Sequence, residues 1–122
     1  MSNKVNLPEK LASFDETWSP KVVGELNGQY VKVVKFVGEY VWHQHATEDE
    51  LFLVINGGMQ IHLRDRVIDL QEGEFFVVEH GVEHKPVAGE MCHALLFEPA
   101  STRNTGDVEH EYTIEAEDLE HI

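Results

Sequence analysis

Two histidines separated by a single residue, His43 and His45, are the side chains of this sequence with the clearest potential for chemistry. In an extended strand, side chains two positions apart point to the same face and lie about 6.6 Å apart along it. The two imidazoles could therefore converge on one ion. Residues 46–49 are enough for a short loop, after which Glu50 would begin the next strand opposite the histidines. Two imidazoles and one carboxylate on one face have the composition of the facial triads that bind divalent transition metals.

The alternation of side chains along a strand indicates which carboxylate could join the histidines. In a strand that begins at Glu50, successive residues point to opposite faces. The residues that share the face of Glu50 are Phe52 and Val54, and those on the other face are Leu51, Leu53 and Ile55. Glu48 and Asp49 are competing carboxylates, but they fall in the expected loop, so Glu50 is favoured. A fourth ligand would have to come from another strand, and His84, which begins a strand after a turn at Gly81, is the candidate.

The other polar side chains give weaker indications of a functional role. A single histidine on a strand is most often a hydrogen-bonding residue, and this is our interpretation of His62, His110 and His121. His93 and Tyr30 are candidate pocket residues, although a structural role is favoured for each. No pair of residues is identifiable as a general acid and base, so the catalytic residues are not predicted.

The elements that would position the candidate ligands are short strands. β-Branched and aromatic residues dominate a series of short runs, which cover residues 29–37, 40–45, 51–55, 59–63, 67–70, 75–79, 83–87 and 91–97. Asn56-Gly57 is a dipeptide typical of tight hairpins, and further turns are expected at residues 65–66, 73, 81 and 88–89. Strands at this regular spacing, without helical periods between them, predict an all-β antiparallel sandwich or barrel.

The two ends of the chain are less regular. Residues 7–14 could form one helical turn, and the first strand is expected to follow Pro20. The acidic segment 99–122 has little periodicity and is expected to wrap the surface or to fray in part. With 122 residues, the chain is long enough for one domain and too short for two ordinary ones. We therefore predict a single domain over residues 1–122, with a core barrel over about 22–98.

The spacing of the candidate ligands resembles the first of the two motifs of the cupin superfamily. That motif has a glycine, His-x-His, a glutamate and a second glycine. The matching residues here are Gly38, His43, His45, Glu50 and Gly57. Gly38 lies one residue closer to the histidines than is usual.

The second cupin motif has a glycine, Pro-x-Gly and a histidine, and Gly73, Gly81 and His84 match it. Glu79 stands where proline is usual, and Ala88 stands where an asparagine is usual. These two departures concern the rigidity of a turn and a position that is not a ligand.

The resemblance extends over most of the chain and is to small single-domain cupins. It implies a jelly-roll β-barrel with one metal ion held by His43, His45, Glu50 and His84. Three imidazoles and a carboxylate suit Zn, Fe(II), Mn, Ni, Co or Cu. Dioxygenation and isomerisation, including that of sugars, are the reactions that the resemblance suggests.

Three classes of function remain open at this stage. The first is a metalloenzyme that acts on a small molecule in the barrel, and the second is a module that binds a sugar or an anionic metabolite at the metal without turnover. The third, a structural or storage protein, is disfavoured because all four ligands are present. We rank the enzyme first, ahead of the binding module by a modest margin.

Composition excludes several other partners. Nine basic and 23 acidic residues give a formal charge of −14, which would repel the phosphates of nucleic acid. No apolar run approaches the roughly 20 residues that span a bilayer, and the first residues lack the pattern of a secretory signal. The single cysteine, Cys92, excludes an internal disulfide and is expected to be a buried, inert thiol. A cytosolic location fits these features best.

The strands around the candidate site are apolar on both faces. The outward positions are expected to be Tyr40, Trp42 and Gln44 on one strand and Leu51, Leu53 and Ile55 on the next. A solvated face would alternate with polar residues, so the chain's own termini or a second subunit must cover this one. Because small cupins also pair through such a face, we predict a homodimer through Trp42, Leu51, Leu53 and Ile55.

Overall fold

The computed structural model of the protein describes residues 3–122 as a mostly β structure with little helix. One short helix comes first, and the last strand follows a single 3-10 turn at Ala116–Asp118. The elements are α1 (Leu7–Ala12), β1 (Lys21–Leu26), β2 (Gln29–Glu39), β3 (Glu50–Asn56), β4 (Gly58–Leu63), β5 (Val67–Gln71), β6 (Phe75–Val78), β7 (His84–Pro99) and β8 (Glu120–His121).

The long strand β7 organises the sheets of this jelly-roll sandwich. Its first residues pair with β4, its later residues pair with β3, and β2 runs antiparallel along it on the other side. The strand order is β5-β4-β7-β2-β1-β8, and β6 pairs with β3. The all-β antiparallel fold predicted from the sequence is thereby confirmed.

Three of the predicted strands differ in the structure. Residues 40–45 form no regular strand, because His43 alone makes an antiparallel bridge, to His84. The predicted strands 83–87 and 91–97 are one continuous strand, β7, rather than two strands around a turn at Ala88-Gly89. The register with β2 shifts between Phe36 and Gly38, so the three β7 residues 89–91 have no partner on β2. A bulge therefore accommodates the glycine that we had interpreted as a break.

Asn56-Gly57 is not the hairpin turn that its sequence predicts. β3 and β4 do not pair with each other: both pair with β7, so the chain bends at Gly57 as it passes alongside that strand. Gly57 has a φ of 84°, whereas Asn56 is not among the residues with positive φ. The tight hairpin of this dipeptide type lies instead at Asn27-Gly28, with φ of 49° and 77°, where Leu26 pairs with Gln29.

Replacing Gly57 by alanine is expected to lower the free energy of unfolding by at least about 2 kcal/mol. A Cβ atom at this position would lie 2.7 Å from the backbone oxygen of Met91, and φ is +84°. Gly73→Ala is the matched control, because its φ is +83° and a Cβ there would meet nothing within 4 Å. Urea denaturation of both variants separates backbone strain from the close approach. Equal destabilisation of the two variants would show that the approach to β7 contributes nothing.

The helix α1 covers part of the outer sheet surface. Pro8 stands in its first turn, and the side chain of Asn6 accepts a hydrogen bond from the backbone N–H of Glu9 at 3.0 Å, which caps the helix. Leu11 and Phe14 pack on Val33 of β2, with Ile55 at the edge of this cluster. The short helix expected near the N-terminus is confirmed, and it buries one end of the outer face of β3.

The C-terminal segment wraps the barrel rather than fraying. Thr102 and Thr105 are fully buried, and β8 pairs with β1 in parallel. The ring of Tyr112 stacks on those of Trp18 and Tyr40 at 5.7 and 5.8 Å between centroids. Within residues 3–122, no helix is long and apolar enough to cross a membrane.

Candidate metal centre

Four side chains from separate parts of the sequence meet inside the barrel. They are His43, His45, Glu50 and His84, and one nitrogen or oxygen atom from each lies within 4.8 Å of the others. All four are buried, with no more than 4% of any residue exposed. The structure thus brings together every residue that the sequence predicted as a ligand.

The backbone fixes this arrangement. His43 and His84 face each other across two hydrogen bonds, from each N–H to the other's carbonyl, of 3.0 and 2.9 Å. Glu50 is the first residue of β3 and pairs with Val78 of β6. The burial pattern of β3 alternates with Glu50, Phe52 and Val54 inside, as predicted. The inward orientation of the Glu50 side chain therefore follows from the alternation of side chains along a regular strand.

Two of the imidazole rings are oriented by backbone carbonyls. His43 Nδ1 lies 2.9 Å from the Val41 oxygen, and His84 Nδ1 lies 2.9 Å from the Val82 oxygen. Because a carbonyl only accepts hydrogen bonds, each Nδ1 carries the proton and donates it, which leaves Nε2 with a free lone pair. This is the tautomer that a metal-binding histidine requires.

The free lone pairs lie close to a carboxylate. Oε1 of Glu50 lies 3.3 Å from Nε2 of His84 and 3.4 Å from Nε2 of His45. His45 Nε2 is buried and has no hydrogen-bond partner within residues 3–122. Acceptor atoms buried against one another are costly unless a proton or a cation lies between them. The donor set therefore fits a cation at the centre of the cluster.

The local electrostatics keep the cluster suited to a cation at neutral pH. Burial, with the neighbouring His84, lowers the pKa of His43 to about 4, so this ring is neutral. Burial alone would raise the pKa of Glu50, but the adjacent imidazoles of His45 and His84 outweigh it and hold that pKa well below its usual range. Burial alone would lower the pKa of His45, but the Glu50 carboxylate outweighs it and the pKa is raised.

The composition of the cluster favours a transition metal. Three imidazole nitrogens and one carboxylate oxygen suit a divalent ion of the first transition row, and they supply too few oxygens for calcium. No thiolate takes part: Cys92 is buried elsewhere in the core, and burial raises its pKa to about 11. The cysteine is buried, as the sequence predicted.

The competing side chains lie outside the cluster. Glu48 accepts a hydrogen bond from Ser101, and Asp49 binds the backbone N–H of His80. His62 bonds Gln60 on the surface, and neither His93 nor Tyr30 lines the cavity beside the cluster. The structural roles favoured for His93 and Tyr30 agree with these positions.

A small cavity of about 40 Å³ opens beside the cluster. Its walls are mostly apolar, and four of the residues that line it are polar. The lining residues are Trp18, Pro20, Val34, Phe36, Tyr40, His43, Glu50, Phe52, Pro86, Leu96, Glu98 and Asn104.

Tyr40 was expected on the outer face, and this was wrong: its ring stacks on Trp18 at 4.7 Å and meets His43 edge-on at 5.4 Å. The expectation failed because residues 40–45 are not a strand, so the alternation of faces does not apply.

Beside Glu50 lies a buried ion pair that the sequence analysis missed. Lys32 Nζ lies 2.8 Å from Glu98 Oε1, with side-chain exposures of 0% and 1%. Burial, together with the charge of Glu50, raises the pKa of Glu98 well above its usual range. The alternation of side chains along the strands could have revealed the pair, because Lys32 points to the same inward face of β2 as Val34 and Phe36. Glu98 likewise shares the inward face of Ala94 and Leu96 on β7.

The comparisons with known proteins agree with this geometry. The cupin domain family model matches residues 33–97, which contain the four clustered residues and most of the strands around them. The chain belongs to the cupin family. The two motif departures, Glu79 and Ala88, leave all four clustered side chains in place in this cupin.

Several relatives resemble this cupin over much of its length. A cupin-2 domain protein of Shewanella frigidimarina is 47% identical, with a TM-score of 0.77 over 78% of this chain and 93% of its own. A protein of Neisseria meningitidis is 31% identical, with a TM-score of 0.74 over 80% of this chain and 99% of its own. The uncharacterized protein YdbB of Bacillus subtilis is 33% identical over 64 residues, which are 52% of this chain. The chain spans only 57% of that curated relative.

Proposed function

We propose that this cupin is a small-molecule metalloenzyme of the dioxygenase or isomerase type. A divalent transition metal would be held by His43, His45, Glu50 and His84. The observation that carries the proposal is the convergence of three buried imidazoles on the buried carboxylate of Glu50. Their nearest oxygen-to-nitrogen distances of 3.3 and 3.4 Å support a shared cation.

The residues around the cluster support chemistry on a bound molecule. A metal in this position would supply Lewis acidity, or an oxidisable centre if it is iron or manganese. The apolar walls exclude bulk water, which strengthens electrostatic interactions inside the cavity. Glu98 adds a second carboxyl group at the cavity wall, in a chain whose sequence offered no evident acid or base.

The test of the enzymatic proposal is turnover by defined metal forms. Metal-free protein is reloaded separately with Fe(II), Mn, Ni, Co, Cu and Zn, and each form is incubated with diols, thiols and sugar phosphates. Oxygen consumption and NMR spectra of the products identify dioxygenation and isomerisation respectively. Conversion that requires one metal, and that is lost in His84→Ala, is the expected result. Metal-loaded protein that converts none of the panel contradicts the enzymatic proposal.

A binding module without turnover is the second candidate. The observation that favours it is the small cavity of about 40 Å³, whose lining includes the stacked rings of Trp18 and Tyr40. Such a space holds about three water-sized groups, and it suits a ligand that is retained. Saturable binding by the metal-loaded protein without conversion would favour this candidate.

In either role, we expect the protein to act in the cytosol.

We also propose that the protein is a homodimer. Of the four residues expected at the interface, Ile55 is covered by the α1 cluster, and Trp42 lies under the guanidinium of Arg64 at 3.8 Å. Leu51 and Leu53 remain partly exposed and pair with Val77 and Phe75 on the edge strand β6. Phe75 is 61% exposed and Val77 41%. This apolar face of β3 and β6 (Leu51, Leu53, Phe75 and Val77) is the surface that a second copy would cover.

Phe75→Glu is expected to weaken self-association by at least about 100-fold, since it places a charge in the centre of the apolar face of β3 and β6. Sedimentation velocity over a concentration series measures this change. Val67→Glu is the control, because Val67 is 49% exposed on β5, away from this face. Wild-type protein that sediments only as a monomer up to high micromolar concentration would contradict the dimer.

A further inference from the structure

The cavity beside the cluster contains one unused hydrogen-bonding atom. Oε1 of Glu98 accepts from Lys32 at 2.8 Å, whereas Oε2 is buried and has no hydrogen-bond partner within residues 3–122. Glu98 lines the cavity and is 2% exposed. A buried oxygen left without a partner is costly, so this atom is placed to accept a hydrogen bond from something that enters the cavity.

The other carboxyl, amide and imidazole groups of the cavity are already engaged. Asn104 donates to the carbonyl of Tyr112 at 2.8 Å and accepts from the N–H of Ile114 at 2.9 Å. His43 and Glu50 belong to the metal cluster. Among the carboxyl and amide side chains of the described lining, Glu98 is therefore the one that has a free acceptor for a ligand and lies outside the cluster.

The charges of the cavity restrict the ligand further. None of the twelve lining residues is lysine or arginine, and the ammonium of Lys32 is held by Glu98. An acid group that lies away from the metal would therefore meet apolar walls such as Phe36, Phe52 and Leu96 and would leave its charge unpaired. An apolar group in the same place would be favourably buried.

We propose that Glu98 is a specificity-determining residue that accepts a hydrogen bond from a hydroxyl group of the ligand. The ligand is then a small molecule with a hydroxyl beside its metal-binding atom and an apolar remainder without an acid group. This inference rests on the proposed metal site, because the ligand is anchored there. It narrows the substrate class from small molecules in general to uncharged hydroxyl compounds.

Three probes that differ by single groups test the inference. Hydroxyacetone carries a hydroxyl beside a carbonyl, methoxyacetone lacks the donated hydrogen, and 5-hydroxy-4-oxopentanoate carries a carboxylate away from its hydroxyketone group. Each is titrated into protein saturated with Co²⁺, and binding is followed through the visible absorption of the cobalt. Hydroxyacetone is expected to bind at least about 10-fold more tightly than methoxyacetone, since methoxyacetone leaves the buried acceptor without a partner. 5-Hydroxy-4-oxopentanoate is expected to bind no more tightly than hydroxyacetone, because its carboxylate would meet apolar walls.

Variants of Glu98 assign the preference to this side chain. In Glu98→Gln, an amide N–H can face the ligand, so the difference between hydroxyacetone and methoxyacetone is expected to fall within about twofold. Lys32→Met/Glu98→Met removes both buried charges together and should abolish the preference as well. Equal binding of hydroxyacetone and methoxyacetone to wild-type protein overturns the inference without any variant, as does tighter binding of 5-hydroxy-4-oxopentanoate.

The outcomes separate this inference from the proposed function. If Co²⁺ does not bind stoichiometrically, by elemental analysis, the metal site and the ligand class are both refuted. If Co²⁺ binds but the ketones are not distinguished, only the role of Glu98 is refuted. If hydroxyacetone is preferred and no compound is converted, the ligand class stands and the enzymatic proposal fails.

Discussion

His84→Ala is expected to weaken metal binding by at least about 100-fold, because even the outer hydrogen-bond partners of a metal site are worth 10- to 100-fold in affinity. His84 is fully buried, and its Nε2 lies 3.3 Å from Glu50. Elemental analysis of protein purified without chelators or an affinity tag should give about one ion per chain for wild type and a small fraction of that for the variant. The wild-type melting temperature should fall on chelation, whereas that of the variant should not respond.

A second ligand variant and a control variant show whether the loss of metal is specific to the cluster. His43→Ala should behave as His84→Ala does, because its Nδ1 is likewise fixed by a backbone carbonyl, that of Val41. His62→Ala is the control, since His62 bonds Gln60 outside the cluster and should keep its full metal content. Circular dichroism confirms that each variant is folded. Unchanged metal content in both His43→Ala and His84→Ala would refute the site.

Lys32→Met is expected to lower the free energy of unfolding by about 3–5 kcal/mol, the usual cost of removing one partner from a buried ion pair. The ammonium of Lys32 lies 2.8 Å from Glu98, and both side chains are almost wholly buried. Its loss leaves the Glu98 carboxyl group beside Glu50 without a counter-charge. Urea denaturation in the presence of a chelator measures the effect apart from metal binding.

Two controls distinguish the charge effect from altered packing. Lys32→Met/Glu98→Met replaces the pair with apolar side chains and should recover most of the lost free energy, because no unpaired charge remains. Lys85→Met removes a lysine that pairs with Glu39 near the surface, where the carboxylate is 66% exposed, and should cost about 1 kcal/mol or less. A similar loss in Lys32→Met and Lys85→Met would mean that the buried pair is not strongly coupled.

Only part of the cluster follows from a local rule. Glu50 begins a regular strand whose alternation holds in the structure, whereas His43 and His45 meet although residues 40–45 form no regular strand. His84 required more than local rules, because its approach to His43 depends on a backbone bridge between segments far apart in sequence. The resemblance to the cupin motifs supplied that long-range information.

The errors in the prediction have the same physical origin. The tight-turn propensity of Asn56-Gly57 was overridden because β3 and β4 both gain their hydrogen bonds from β7. Tyr40 was placed on the outer face by an alternation that applies only to regular strands. The sequence around Tyr112 has no periodic pattern from which the position of this residue could be predicted. Tyr112 is placed by stacking on Trp18. Local patterns do not encode which distant strand or ring supplies the partner.

The long strand β7 has a consequence for how the protein folds. It carries His84 at one end and Glu98 near the other, and it supplies the pairing edge for β2, β3 and β4. During synthesis, these three earlier strands emerge before their shared partner exists, so their edges and apolar faces remain open until β7 follows. Non-local pairing of this kind makes folding slow and leaves intermediates prone to aggregation. We therefore expect the metal cluster to form only in the final, cooperative step of folding, when the earlier strands acquire β7.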